Sequence, residues 1–294
     1  MPSIPLGTYE VETEDVVYLR HGDKEFPARI YRPVGDGPFP AVAEAHGGAW
    51  CMGSYTNNDA INRAVASGGI VVAALEFRNP PDAAYPGSVA DINYGIRWLK
   101  ANAAEFHSKP EWIGAMGTSS GGHLAVLAAM RPDDARYAAI PLPGPENLDA
   151  SAAYVVTLWP VICPLGRYQV YQRRLAADPG NEGFSGVLAN HDKYWQSEDA
   201  MAEGSPNLAL QRGDALALPD MLYLQNPADT MHPRENLESF TAGYRKAGGT
   251  VTVEFFEGPQ YDHMRAEPDT PSSRQAFQTL IDFVHAQCGN PLSR

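Results

Sequence analysis

The chain has few cysteines, and their small number argues against disulfide bonds and against a cysteine-ligated metal site. Its 294 residues include three cysteines, which are widely spaced and form no CxxC motif. This number and spacing argue against a disulfide framework or a zinc site and favour a reducing compartment. We therefore expect a cytoplasmic protein without a bound metal. A secreted form that has lost its signal peptide stays an alternative.

Basic residues and long apolar runs are also scarce. The chain has 22 Lys and Arg residues against 35 Asp and Glu residues, which gives a formal net charge of −13. Phosphate binding needs a basic face, so this balance argues against nucleic acid and against an anionic membrane surface as partners. No apolar stretch reaches the length of a membrane span, and the first residues do not form a secretion signal.

The sequence does contain an alternation of β-prone and helical segments. The predicted strands are 15–20, 26–32, 41–46, 70–77, the segment just before Ser119, 153–159, 219–224 and 250–256. The predicted helices are 57–67, 88–106, one directly after Ser119, 236–247 and 272–287. This alternation predicts one α/β domain over residues 1–294, with a doubly wound, mainly parallel, eight-stranded sheet. The first two strands form a hairpin and give the sheet an antiparallel start.

Residues 160–212 interrupt this alternation, because the segment shows little regular periodicity and is rich in Tyr, Arg, Asp and Gly. A stretch of that length in a compact domain is usually functional or forms short helices of its own. We predict that it is a cap insertion over the edge of the sheet and belongs to the same domain.

One serine lies in a Gly-x-Ser-x-Gly motif, Gly117-Thr118-Ser119-Ser120-Gly121. The small residues two positions before and after Ser119 let a strand and a helix approach closely and expose the serine hydroxyl on a strained turn. The motif alone can arise by chance in a glycine-rich chain. The strand before it and the helix after it are the context that a nucleophilic serine requires, so we predict Ser119 as the nucleophile.

A second feature, His46-Gly47-Gly48-Ala49-Trp50, follows the third predicted strand. Consecutive glycines at such a strand end leave backbone N–H groups free to bind a developing oxyanion. We therefore predict an oxyanion hole from the N–H groups of Gly47, Gly48 and Ser120, the last of these at the start of the helix after the nucleophile. His46 is interpreted as a structural brace of this loop.

Two late loops supply candidates for the acid and the base. Asp229 follows the seventh predicted strand, where a carboxylate can orient a histidine, although an Asx-turn would also explain an aspartate there. His263 follows the last strand and is the predicted general base, because imidazole titrates near neutral pH. His232 is the rival base, but it lies only three residues from Asp229 on the same loop.

The order Ser119, Asp229, His263 and the motifs around it resemble the α/β-hydrolases of the esterase and lipase superfamily. This group includes hormone-sensitive-lipase-like esterases, acetyl and feruloyl xylan esterases, and kynurenine formamidase-like enzymes. The resemblance covers about residues 10–288 and includes His46-Gly47-Gly48, the Ser119 turn, Phe77-Arg78, Tyr85-Pro86, Asp91, Trp159-Pro160, Ser205-Pro206 and the two late loops. The chain departs from hormone-sensitive-lipase-like members at Thr118, where they carry Asp, at Asn79-Pro80-Pro81, and in a longer loop before His263.

The predicted function is hydrolysis of a carboxylic ester of small or medium size through an acyl-enzyme, with no cofactor. An amidase, formamidase or lactonase with the same residues stays open, as does a non-catalytic binder of this fold. Aromatic walls suit an acyl chain or an aromatic leaving group. The predicted substrate-binding residues are Trp50, Trp159, Tyr168 and Trp195, unless they only hold the cap in place. The oligomeric state is left open, with a homodimer as one alternative.

Overall fold

Eight strands form one mainly parallel sheet in the computed structural model, which describes residues 3–144 and 148–289. The strands are β1 (Val11–His21), β2 (Lys24–Pro33), β3 (Ala41–Ala45), β4 (Val71–Leu75), β5 (Ile113–Thr118), β6 (Tyr154–Leu158), β7 (Asp220–Gln225) and β8 (Val251–Phe255). Their spatial order is β1-β2-β4-β3-β5-β6-β7-β8. β1 and β2 pair antiparallel with their neighbours and all later pairs are parallel, which confirms the predicted α/β-hydrolase architecture.

Helices cover both faces of this sheet because its central strands are apolar on both sides. Every residue of β3, β4 and β6 is buried. The main helices are α1 (Asp59–Ser67), α2 (Gly87–Ala101), α3 (Ser119–Met130), α8 (Arg234–Lys246) and α10 (Pro271–Gln287). Apolar residues of α2, α3 and α8 form one core, and those of α1 and α10 form the other. In the two described ranges, no helix has both the length and the apolar character that crossing a bilayer requires.

The segment predicted as irregular contains four helices. They are α4 (Pro164–Ala177), α5 (Glu182–Trp195), α6 (Glu198–Glu203) and α7 (Pro206–Arg212). Tyr194, Trp195 and Met201 from α5 and α6 belong to the same core as Trp50 and α3. The segment is therefore packed on the body of the fold by aromatic side chains. A further short helix, α9 (His263–Ala266), precedes α10.

The start of α2 differs by one residue from that of the helix predicted over 88–106, and no side chain caps its first turn. The helix begins at Gly87, and the Ser88 hydroxyl donates to the carbonyl of Arg78 at 2.6 Å. Asp91 accepts from the backbone N–H and the guanidinium of Arg78, at 2.8 Å and 2.7 Å. Both side chains therefore hold the segment after β4 against α2 and leave the helix without a side-chain cap.

The parallel register brings the carboxyl ends of five strands to one edge of the sheet. β3 ends at Ala45, β5 at Thr118, β6 at Leu158, β7 at Gln225 and β8 at Phe255, and these strands are neighbours in the sheet. In open α/β sheets such an edge is where ligands bind. The loops that carry the predicted site residues all begin there.

Candidate active site

Ser119 occupies a strained turn between β5 and α3. Its φ angle is +50°, a left-handed conformation that non-glycine residues rarely adopt. The two flanking glycines allow the close approach that the motif predicts. A Cβ atom on Gly121 would lie 2.1 Å from the carbonyl oxygen of Ala45, and one on Gly117 would lie 2.5 Å from that of Gly121. Side chains at either position would force the strand and helix apart.

The hydroxyl of Ser119 is hydrogen bonded to a histidine that is in turn bonded to an aspartate. Ser119 Oγ lies 3.0 Å from Nε2 of His232, and Nδ1 of His232 lies 2.8 Å from Oδ2 of Asp229. The side chains of His232 and Asp229 are 3% and 0% exposed. A nucleophile, a base and an orienting acid in this order have the geometry of a serine-hydrolase triad.

His232 reaches this position because Asp229 folds its own loop back. Oδ1 of Asp229 accepts the backbone N–H groups of Met231 and His232, at 2.8 Å and 3.0 Å. This is the Asx-turn that the sequence offered as an alternative role for Asp229, and it leaves Oδ2 for the imidazole. Gln225 stabilises the turn by donating to the carbonyl of His232 at 3.1 Å. Three residues are therefore enough to place acid and base side by side.

The prediction that His263 is the base is wrong in this geometry. His263 lies at the start of α9, where its Nε2 is 3.2 Å from the hydroxyl of Thr270. Asn226 donates to the carbonyls of Gly258 and Gln260 and so ties the two late loops together. The histidine that lies against Ser119 nevertheless comes from the β7 loop. His263 was chosen because the base was expected after the last strand, and the turn at Asp229 removes the reason for rejecting His232.

The surroundings of His232 favour its neutral form. Burial lowers the pKa of His232 below its usual value and outweighs Asp229, which raises it; Arg167 lowers it further. The ring of Tyr261 packs edge-on against the imidazole, with ring centroids 5.4 Å apart. A neutral imidazole held by Asp229 at Nδ1 presents Nε2 as an acceptor to the serine hydroxyl.

The loop after β3 carries the predicted oxyanion donors, and one of them is already occupied. The N–H of Gly47 donates to the hydroxyl of Thr118 at 3.0 Å, which contradicts the predicted role of Gly47. The N–H of Gly48 has no acceptor among the described residues. The φ angle of Gly48 is +130°, and a Cβ atom there would lie 1.9 Å from the carbonyl oxygen of Met52. Ser120 is the second residue of α3, where a helix N–H has no intrahelical acceptor.

Thr118 holds this loop in place through a buried polar network. Its hydroxyl accepts from Gly47 and also from the side-chain amide of Asn58, at 3.0 Å. The same amide donates to Glu44 at 2.8 Å, and burial raises the pKa of that glutamate. The residue that differs from the hormone-sensitive-lipase-like pattern therefore fixes the position of the glycine loop.

Two other histidines near the site have structural roles. Nδ1 of His46 lies 2.7 Å from the carbonyl oxygen of Gly47, and its ring stacks on Phe77 with centroids 4.3 Å apart. His123 bridges Trp50 and the carbonyl of Gly204, and burial lowers the pKa of His123 to about 4. These contacts agree with the interpretation of His46 as a brace, and they show His123 packed within α3.

Ser119 opens into a cavity of about 440 Å³, a size typical of small-molecule sites. The sheet edge contributes Gly48, Ser119, Trp159 and His232, and helices α4 and α5 contribute Arg167 and Val187. Helices α4 and α5 therefore form part of the wall of the cavity that contains Ser119. Of the four predicted substrate-binding residues, Trp159 lines this cavity.

The other three predicted substrate-binding residues do not line this cavity in the described part of the chain. Trp50 and Trp195 are buried with ring centroids 5.4 Å apart, and Trp50 donates to His123 at 3.2 Å. Tyr168 donates to Asp192 of α5 at 2.7 Å. The prediction is therefore wrong for Trp50, Trp195 and Tyr168. They pack the cap helices together and onto α3, which was the alternative role considered for them.

The chain is similar to known protein families in the region that contains Ser119. The family model described as BD-FAE matches residues 29–155, a range that contains the glycine loop and the Ser119 turn. The chain is 25% identical to esterase LipQ of Mycobacterium tuberculosis over 285 residues, covering 95% of this chain and 63% of LipQ. It is 32% identical to carboxylesterase NlhH of the same organism over 127 residues, covering 42% of this chain and 40% of NlhH. The chain thus spans less than two thirds of these relatives.

Among solved structures, a hyperthermophilic esterase from Pyrobaculum calidifontis has the same fold. It superposes with a TM-score of 0.76 at 22% identity, covering 96% of this chain and 88% of the other. The strand order, the glycine-flanked serine turn and the sequence matches agree on one assignment. The chain has the α/β-hydrolase fold, and its sequence is similar to those of an esterase and a carboxylesterase.

Proposed function

We propose that this protein is a serine hydrolase that cleaves carboxylic esters of small molecules through an acyl-enzyme intermediate. The observation that supports this most directly is the hydrogen-bonded chain from Ser119 through His232 to Asp229, with distances of 3.0 Å and 2.8 Å. The names of the relatives, an esterase and a carboxylesterase, support the same reaction.

In the proposed reaction, Ser119 Oγ attacks the ester carbonyl carbon while Nε2 of His232 takes the hydroxyl proton. Asp229 keeps the remaining imidazole proton on Nδ1 and stabilises the imidazolium that forms. The carbonyl oxygen becomes an oxyanion, which the backbone N–H groups of Gly48 and Ser120 are placed to bind. Removing one such donor typically costs about 100–1,000-fold in rate.

Collapse of the tetrahedral intermediate breaks the bond to the leaving alcohol, which receives the proton from His232. A water molecule then attacks the acyl carbon, and His232 takes its proton in the same way. Collapse of the second intermediate releases the carboxylic acid and returns the proton to Ser119. Helices α4 to α7 act as a cap that encloses this reaction, with α4 and α5 facing Ser119 across the cavity.

The test is a panel of substrates that share one acyl group and differ in the leaving group. Purified protein is assayed with the butyrate ester of 4-nitrophenol, ethyl butyrate, butyranilide and γ-butyrolactone. We expect both esters to be hydrolysed faster than the anilide and the lactone, and Ser119→Ala to abolish the activity. Full turnover by Ser119→Ala would refute the proposal.

A higher kcat/KM for the anilide or the lactone than for ethyl butyrate would identify an amidase or a lactonase that uses the same residues. Binding without turnover of any member of the panel would identify a non-catalytic member of the fold. A phosphonate that reacts covalently with serine nucleophiles provides a second readout. Mass spectrometry of the digested protein should then find the adduct on Ser119 and on no other residue.

A further inference from the structure

Arg167 of α4 is a buried cation with no carboxylate partner in the described part of the chain. The residue is 3% exposed, and its Nε and Nη1 atoms are buried without a hydrogen-bond acceptor. No carboxylate oxygen in the described chain comes within ion-pair distance of it. A guanidinium stays charged at any pH that a protein tolerates, so this charge is not removed by deprotonation.

The other largely buried arginines in the described ranges have hydrogen-bond or ion-pair partners, so Arg167 is an exception among them. Arg78 pairs with Asp91 at 2.7 Å, and Arg131 pairs with Glu203 at 2.7 Å. Arg97 donates to the side chain of Asn93 and to the carbonyl of Ile140 at 2.9 Å and 2.8 Å. Leaving a buried charge without a partner costs several kcal/mol. We therefore expect a buried arginine without a carboxylate partner only where its charge has a function.

The surroundings of Arg167 compensate this charge only in part. The face of Tyr171 lies 5.5 Å from its guanidinium carbon. Burial lowers the pKa of Arg167, whereas Tyr171, which also forms a side-chain hydrogen bond with it, and to a lesser extent Asp229 raise it. Both carboxylate oxygens of Asp229 are already engaged, one with backbone N–H groups and the other with His232. The acid of the triad is therefore not available as a counterion.

Arg167 lines the cavity that also contains Ser119. Arg167 and Arg265 both line the cavity, and no Asp or Glu side chain does so in the described chain. Arg265 is paired with Asp262, so its charge is neutralised locally. Among the described residues, Arg167 is therefore the cationic side chain of the cavity wall that lacks an ion-pair partner, in a protein whose net charge is −13.

We propose that the substrate of this site is an ester that carries a free carboxylate, which Arg167 binds. This inference rests on the proposed function and names its substrate class. A single unpaired guanidinium matches a monoanion, and its planar donors fit a carboxylate in a two-pronged hydrogen bond. The carboxylate belongs either to the acyl part, as in a half-ester of a dicarboxylic acid, or to the alcohol part, as in an acylated hydroxy acid.

The test compares matched esters in which a carboxylate is replaced by a neutral amide of the same shape. Methyl hydrogen succinate against methyl succinamate tests the acyl side, and acetoxyacetate against acetoxyacetamide tests the alcohol side. We expect kcat/KM of the unmodified protein to be about 10- to 100-fold higher for the anion in one of the two pairs. Equal kcat/KM values within both pairs would overturn the proposal.

The variant Arg167→Met removes the charge and keeps the length of the side chain, and we expect it to abolish the preference for the anion. Arg173→Met is the matched control, because Arg173 is an exposed arginine of the same helix. It should keep the preference of the unmodified protein. A preference that persists in Arg167→Met would overturn the proposal. If Arg167→Met does not fold, competitive inhibition of the unmodified protein decides, with succinate expected to inhibit at least tenfold more strongly than succinamide.

Failure of this inference and failure of the proposed function have different signatures. Hydrolysis of the neutral esters with no preference for the anion refutes the carboxylate site alone. Absence of hydrolysis with every ester refutes the proposed function. Calorimetry on Ser119→Ala then tests the site without turnover, and methyl hydrogen succinate should bind at least tenfold more tightly than methyl succinamate. Equal affinities would refute the site.

Discussion

The identity of the base is the sharpest test of the site, because two histidines on two loops compete for it. We predict that His232→Ala lowers kcat for a neutral ester by about 10⁴- to 10⁶-fold, the range seen when a triad member is removed. The reason is geometric. Nε2 of His232 lies 3.0 Å from Ser119 Oγ, and its Nδ1 lies 2.8 Å from Asp229 Oδ2. His232→Ala therefore removes the group that accepts the serine proton and its hydrogen bond to the aspartate.

The matched variant, His263→Ala, should change stability more than rate. His263 is buried and makes one hydrogen bond of 3.2 Å to Thr270, so its loss should cost about 1–3 kcal/mol of the free energy of unfolding. For a domain of this size that corresponds to a fall in Tm of several degrees. Its kcat should stay within about threefold of the unmodified protein.

Both variants are assayed with the same chromogenic ester at saturating concentration, and folding is checked by circular dichroism and thermal unfolding. Residual turnover from a contaminating esterase is controlled with Ser119→Ala purified in parallel. A folded His263→Ala protein that loses as much activity as His232→Ala would refute the assignment of His232 as base. A folded His232→Ala protein with near-normal turnover would do the same.

Three further predictions concern the same region. Since burial lowers the pKa of His232, its neutral form should persist into mildly acidic solution. The acid limb of kcat/KM for a neutral ester should therefore have its midpoint below about pH 6.5, and a midpoint well above that value would contradict the burial argument. Thr118→Val leaves the Gly47 N–H without its acceptor. This variant should lower kcat by about tenfold and the free energy of unfolding by about 1–3 kcal/mol. Thr118→Ser retains the hydroxyl and should leave kcat and the free energy of unfolding unchanged. Gly121→Ala places a Cβ 2.1 Å from the backbone carbonyl oxygen of Ala45 and should prevent folding or lower Tm severely. Gly180→Ala meets nothing within 4 Å and should leave Tm unchanged, so equal Tm values for the two variants would contradict the close packing of β3 and α3.

The sheet could be predicted from the sequence because its signals are local. Each predicted strand overlaps an observed one, since short apolar runs bounded by turns are typical of strands buried on both faces. The position of Ser119 between a strand and a helix follows from the same signals. The α4 to α7 helices were not predicted individually because their sequences are mixed in polarity and lack a regular apolar face.

The base and the cavity wall depend on contacts that the sequence does not display. The Asx-turn at Asp229 changes a separation of three residues into a 2.8 Å hydrogen bond, and nothing in the spacing shows which way the loop folds. In α4, Tyr168 was chosen as an aromatic wall, but neighbouring helix positions face directions about 100° apart. Arg167 lines the cavity, and Tyr168 faces Asp192.

In the proposed mechanism the acid and the base lie three residues apart on the β7 loop, so one short segment of the chain carries both groups that handle the proton. Its geometry is set by hydrogen bonds inside the loop and by Gln225 at the end of the strand. The loop after β8 then supplies no reacting group in this mechanism. It contributes Tyr261 and Arg265 to the cavity wall. Insertions or exchanges in that second loop become a way to retune substrate choice without rebuilding the chemistry.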